Sequence, residues 1–92
     1  MFPFKFPFSR FIVKEESMSP AFLPGDHILT FNWLSPKLGD VVVFRNSNNL
    51  MIKRIVSVYG GRYICAPDNR EKANKDYEVK KGEIKGKVIF KY

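Results

Sequence analysis

One cysteine, one histidine and no long apolar run are all this 92-residue sequence offers in those respects, and each shortage closes off a class of function. With Cys65 alone, no internal disulfide can staple the fold. Cys65 is expected to be a small core or edge residue, because a catalytic thiol needs a basic partner such as histidine. The single histidine, His27, sits beside a Gly-Asp turn with no suitable companion. One Cys and one His fall short of a structural zinc site, so neither a metal nor another cofactor is expected. No segment reaches the roughly 18–20 consecutive apolar residues that span a bilayer. Pro3, Lys5 and Pro7 interrupt any signal-peptide core. The expected location is therefore cytoplasmic, with any membrane attachment peripheral or supplied by a partner.

The length is too small for two cores, so residues 1–92 are read as one domain, with a Phe/Pro-rich segment at 1–9 and a core at 10–92. A hydrophobic content of 45% is ordinary for a globular chain and argues against disorder. The net charge of +7 raises anionic partners, nucleic acid or a lipid surface. The cations do not gather in one run, however, so solvated strand faces and loops are the expectation and a nucleic-acid partner is not.

No helical period persists, there are no repeats, and turn residues punctuate short β-rich stretches. In Met1–Ser9, Phe2, Phe4, Phe6 and Phe8 alternate with Pro3, Lys5, Pro7 and Ser9. That places four rings on one side of an extended edge segment. It either covers the core or makes peripheral contact with a membrane interface. Strands are expected at Arg10–Lys14, Asp26–Phe31, Asp40–Arg45, Leu50–Val58, Arg62–Ala66 and Gly86–Lys91. Asn46-Ser47-Asn48-Asn49 and Gly60-Gly61 supply hairpin turns, and 67–76 forms a loop. Pro20 and Pro24 forbid a long helix after Ser17. The expected fold is mainly β, a small antiparallel coiled sheet or partly closed barrel.

The chemistry concentrates in Ser17-Met18-x-Pro20, Leu23-x-Gly25-Asp26, Pro36-x-x-Gly39-Asp40-Val41-Val42-Val43-Phe44, Ile52-Lys53-Arg54-Ile55-Val56 and Asp68-Asn69-Arg70. In that order the motifs resemble the S26 serine peptidases, the signal peptidase I group with a serine–lysine dyad. The likeness extends to the short S26 proteases that mature nickel superoxide dismutase. It implies the β-rich catalytic core of that group, with Ser17 as nucleophile and Lys53, 36 residues later, as base. The residues agree. A serine hydroxyl needs an adjacent base, histidine is not available, and a neutral lysine can serve. Strand alternation groups Lys53 with Met51 and Ile55, an apolar setting of the kind that disfavours an ammonium.

The resemblance further implies an oxyanion and substrate-binding region at Glu15, Ser17 and Met18. It implies structural support from Arg54, Asp68, Asn69 and Asp76, with Arg54 paired to Asp68 or Asp76. Family members commonly carry Gly or Ser two residues before the nucleophile; here Glu15 stands there, so either the oxyanion hole is incomplete or Glu15 points away. Ala73 falls near an expected supporting serine, with Asn74 beside it. Ser19 is expected to be a turn residue. The activity implied is endopeptidase removal of a leader or signal segment from a protein bound as an extended strand. Self-cleaving repressor domains share the dyad and a related fold. They need an upstream Ala-Gly or Cys-Gly, and neither dipeptide occurs here. The alternative from another class is a catalytically impaired β-module that binds nucleic acid or an acidic partner through its lysines.

Overall fold

The computed structural model of the chain describes residues 6–33 and 35–92. Seven strands form one antiparallel sheet: β1 (Phe8–Ile12), β2 (His27–Phe31), β3 (Val41–Asn46), β4 (Asn49–Tyr59), β5 (Arg62–Ala66), β6 (Tyr77–Lys80) and β7 (Ile84–Lys91). Their order is β1-β2-β7-β3-β4-β5-β6, so β1 and β6 are edges and the sheet does not close. A 3-10 turn, Lys81–Glu83, is the only helical element among the described residues, and no helix there is long and apolar enough to cross a membrane.

Strand β3 is central because its sequence buries well on both faces. Val41, Val42, Val43 and Phe44 are all buried, and β-branched side chains suit a pleated surface. Alternation sends Val42 and Phe44 into a cluster with Ile55, Tyr63, Cys65, Val79 and Ile84. Val43 goes to the other face, with Val13 and Ile28. The sheet thus carries a core on each side of β3, and burying roughly 25 cal/mol per Å² of apolar surface on both sides offsets the small size of the domain.

The two Gly-Asp turns are built alike. Gly25 and Gly39 have φ of +93° and +91°, a region that glycine enters without strain. In the first turn the Asp26 carboxylate accepts the Leu23 N–H at 2.8 Å, and the Asp26 N–H returns to the Leu23 carbonyl at 2.9 Å. In the second, Asp40 and Lys37 repeat both bonds at 2.7 and 3.0 Å.

Several boundaries differ from the sequence expectation. The β3–β4 turn tightens to Ser47-Asn48, with Ser47 at φ 56°, because Asn46 and Asn49 pair within the ladder. Strand β6 falls outside the expected strands. It is a four-residue edge in which Val79 alone is buried, hidden among lysines. Strand β7 begins two residues early, at Ile84, whose side chain joins the core. Phe2 and Phe4 lie outside the described residues. Phe8 starts β1 and is 52% exposed, with its ring 5.3 Å from that of Phe31. It therefore pads the outer surface of the edge and does not cover the core.

Candidate active site

Ser17 lies on a loop pinned at both ends. The Val13 N–H donates to the Asp26 carbonyl and the Gly25 N–H to the Val13 carbonyl, at 2.9 and 2.8 Å. Between them the chain makes a tight turn, with the Phe22 N–H bonded to the Met18 carbonyl at 2.9 Å. Pro20 and Pro24 allow no more than that. Ser19 is a turn residue, its hydroxyl donating to the Glu16 carbonyl at 2.8 Å.

Lys53 comes from β4. It sits opposite Val42, so its side chain shares a face with Met51, Ile55 and the core of β3 and β5. Lys53 is 2% exposed and Ser17 3%. Lys53 Nζ and Ser17 Oγ are 2.8 Å apart, and that is the one hydrogen bond of Nζ among the described residues. No carboxylate among the described residues pairs with Lys53. Burial therefore dominates and holds its pKa below the ordinary 10.5, against the opposing pull of Glu15. A Cys65 thiolate would also favour the ammonium. Burial raises the Cys65 thiol to about 11, though, so near neutral pH that thiol is uncharged.

The support around this pair is dense. Arg54 points away from Lys53 and takes both Asp68 oxygens at 2.9 Å, with a third bond of 2.9 Å to the Gly39 carbonyl. The adjacent Asn69 donates its N–H to the Ser17 carbonyl at 2.9 Å and its side-chain amide to Ser19 Oγ at 2.8 Å. The Asn69 oxygen accepts from the N–H groups of Glu71 and Lys72 at 3.0 and 3.2 Å, closing the loop on itself. Met18 is fully buried, and its sulfur accepts the Asp68 N–H at 3.4 Å.

The fold therefore brings together Ser17, Lys53, Met18, Arg54, Asp68 and Asn69. Asp76 is not part of the group; it pairs with Arg70 at 2.6 Å. Asn74 is exposed, and the Ala73 N–H bonds to the Asn69 carbonyl at 3.1 Å. Sequence reasoning misses Cys65 as a neighbour of Lys53 and the Gly39 carbonyl as a partner of Arg54, since both depend on strand register.

The family model described as "Peptidase S24-like" matches residues 10–89, from β1 through nearly all of β7. The chain belongs to the Peptidase S24-like family. This membership indicates a serine-peptidase-type protein. It does not extend to the S26 group or to the nickel superoxide dismutase proteases. A search among curated proteins found no match.

A cleft of about 930 Å³ opens on this S24-like domain between residues 10–15 and 48–53. Val13, Ile28, Val43 and Ile52 give it an apolar floor, and Glu15 and Lys53 lie on its wall. Polar and apolar side chains share its lining, and Lys53, whose amine meets the Ser17 hydroxyl, is among them.

Proposed function

We propose that the chain is a serine endopeptidase in which Ser17 is the nucleophile and Lys53 the general base. The 2.8 Å contact between a buried hydroxyl and a buried amine that no carboxylate neutralises carries this reading. Neutral Lys53 accepts the Ser17 proton as Oγ attacks the peptide carbonyl. The resulting ammonium passes that proton to the leaving amine, and the acyl-enzyme is then hydrolysed by a water that Lys53 deprotonates. The Ser17 N–H makes no hydrogen bond among the described residues and is available to the oxyanion.

The substrate enters as an extended strand. Residues Asn49–Lys53 of β4 have β3 on one side only, since pairing with β5 begins at Arg54. Strand β1 is an edge as well. These two open edges flank the cleft and offer main-chain partners to an inserted peptide. The motif order supports the finer reading: an S26-like leader or signal peptidase, similar to the short maturation proteases, acting on a protein substrate.

The test is covalent labelling with a serine-reactive peptide-mimetic acylating agent, followed by intact-mass analysis. One adduct on Ser17 is expected, absent in Ser17→Ala and in Lys53→Met. Labelling that persists in Lys53→Met, or no labelling of the wild type between pH 6 and 10, would overturn the proposal.

A further inference from the structure

Glu15 is the acidic side chain of the cleft, and although Arg10, Lys14 and Lys53 line the same cleft, none forms an ion pair with it among the described residues. Asp26, Asp40, Asp68, Asp76, Glu16 and Glu78 each face a Lys or Arg side chain within ion-pair distance. Glu15, in a chain of sixteen Lys and Arg, makes no ion pair or side-chain hydrogen bond among the described residues. It is exposed, and it lines the cleft. Phe11 and Val13 pack on the apolar floor, and Glu15 follows at a bend after β1 ends at Ile12, with Arg10 and Lys14 in the same cleft lining. A carboxylate without an ion pair thus lines the cleft two residues before Ser17.

We infer that Glu15 selects substrates with a lysine or arginine side chain within about two residues of the scissile bond. The inference rests on the peptidase reading of the same site. The protein as a whole repels cations, with its net charge of +7. A preference for a basic side chain therefore cannot come from the overall field and needs a local anion. Neutral Lys53, the working form of the base, leaves that anion uncompensated until substrate arrives.

Binding then has a second effect. Glu15 favours the ammonium form of Lys53, and a substrate cation that neutralises Glu15 withdraws that support. The groups around the amine are Glu15 and Ser17 from the loop and Cys65 from β5. His27, Tyr92, Arg10 and Lys14 line the rest of the cleft. Of these, Glu15 is the first to oppose the effect of burial on Lys53, so a basic substrate frees Lys53 to act at lower pH than an uncharged one does.

The experiment uses fluorescent alanine-based pentapeptides carrying Lys, norleucine or Glu at each position in turn. Their binding is measured to Ser17→Ala protein, with Glu15 intact or changed to Gln. At one position lysine should bind about fivefold tighter than norleucine, and glutamate more weakly, with the difference lost in Glu15→Gln. In the wild type, the rising limb of the pH–rate curve should lie at lower pH for the lysine peptide than for the norleucine one. Equal binding of the three series, no binding up to millimolar peptide, or a lysine preference that survives Glu15→Gln would overturn the inference. A Glu15-dependent lysine preference in binding, with no cleavage by the wild type, would overturn the peptidase reading and with it the assignment to a scissile bond, leaving a cleft that binds basic peptides.

Discussion

Arg54 holds Asp68 through two 2.9 Å hydrogen bonds on the face of β4 opposite Lys53. The two neighbours divide one task between the faces of the strand: Lys53 presents its amine, and Arg54 fixes the loop whose next residue, Asn69, holds the Ser17 carbonyl. Asp68→Ala should therefore misplace the nucleophile as well as remove an ion pair. The pair is about a quarter to a third exposed, so solvent screening limits its own worth to roughly 1 kcal/mol. The activity loss should exceed what that stability loss explains, because a shift of about 1 Å in a reacting group can cost on the order of a hundredfold. A double-mutant cycle of Arg54→Ala and Asp68→Ala, read by chemical denaturation and by Ser17 acylation rate, checks this. Acylation at the wild-type rate in Asp68→Ala would show that the loop is positioned without Arg54.

Part of this arrangement is legible in the amino-acid sequence. Ser17, Lys53 and the Gly-Asp turns stand in short motifs whose chemistry is local, and the Val41–Phe44 run names its own strand. For Arg54 the sequence narrows the partner to two aspartates without choosing, since Asp68 and Asp76 differ only in how the loop folds back. Strand β6 escapes notice because Tyr77-Glu78-Val79-Lys80 has a single buried residue; a period-two pattern of Tyr and Val between charged residues is its one signal. Cys65 comes beside Lys53 only through the bulged pairing of β4 with β5, which no local pattern encodes.

Gly86 is a second point where the fold is tight. A Cβ there would lie 2.0 Å from the Asn32 side-chain oxygen and 2.8 Å from the Thr30 hydroxyl. That oxygen accepts the Thr30 hydroxyl at 2.8 Å, while the Asn32 amide donates to the Phe6 carbonyl and to Ser9 Oγ. Gly86→Ala should push Asn32 aside and loosen the β1 edge, at a cost of about 2 kcal/mol. For a domain of this size that is roughly 10 °C in Tm. Pairing it with Asn32→Ala should restore part of the loss. An unchanged melting curve for Gly86→Ala would mean that the β2–β7 ladder yields more easily than its packing indicates.

The N-terminal segment can be tested for two roles. Phe8 packs on Phe31, and the Asn32 N–H donates to the Pro7 carbonyl at 2.7 Å. Deleting residues 2–8 should therefore lower Tm by a few degrees as edge contacts are lost. If the exposed Phe6 and Phe8 also seat in a lipid interface, the intact chain should sediment with anionic liposomes and the deletion should not. Sedimentation that survives the deletion would move any lipid contact to another surface, and an unchanged Tm would remove the structural role.

Lys53 supplies the sharpest test, because its burial costs stability that a structural lysine would not forfeit. Its folded-state pKa lies below 10.5, so the unfolded chain binds the proton more tightly than the folded one between those two values. Stability attributable to this group is therefore lowest below the folded pKa, rises with pH through that window, and is fully recovered above the unfolded value near 10.5. Each tenfold difference in proton affinity is worth about 1.4 kcal/mol. Lys53→Met keeps the apolar stem and discards the charge, so at pH 7 it should be at least as stable as wild type, yet inactive. Lys53→Arg should also be inactive, since a guanidinium keeps its proton throughout this range. Denaturation of wild type and Lys53→Met from pH 6 to 10.5 should show their stability difference shrinking as pH rises. The wild-type acylation rate should climb with pH and level off below 10.5. A rate still climbing at pH 10 would mean that Lys53 keeps an ordinary pKa, and the burial of its amine would then have no part in activating Ser17.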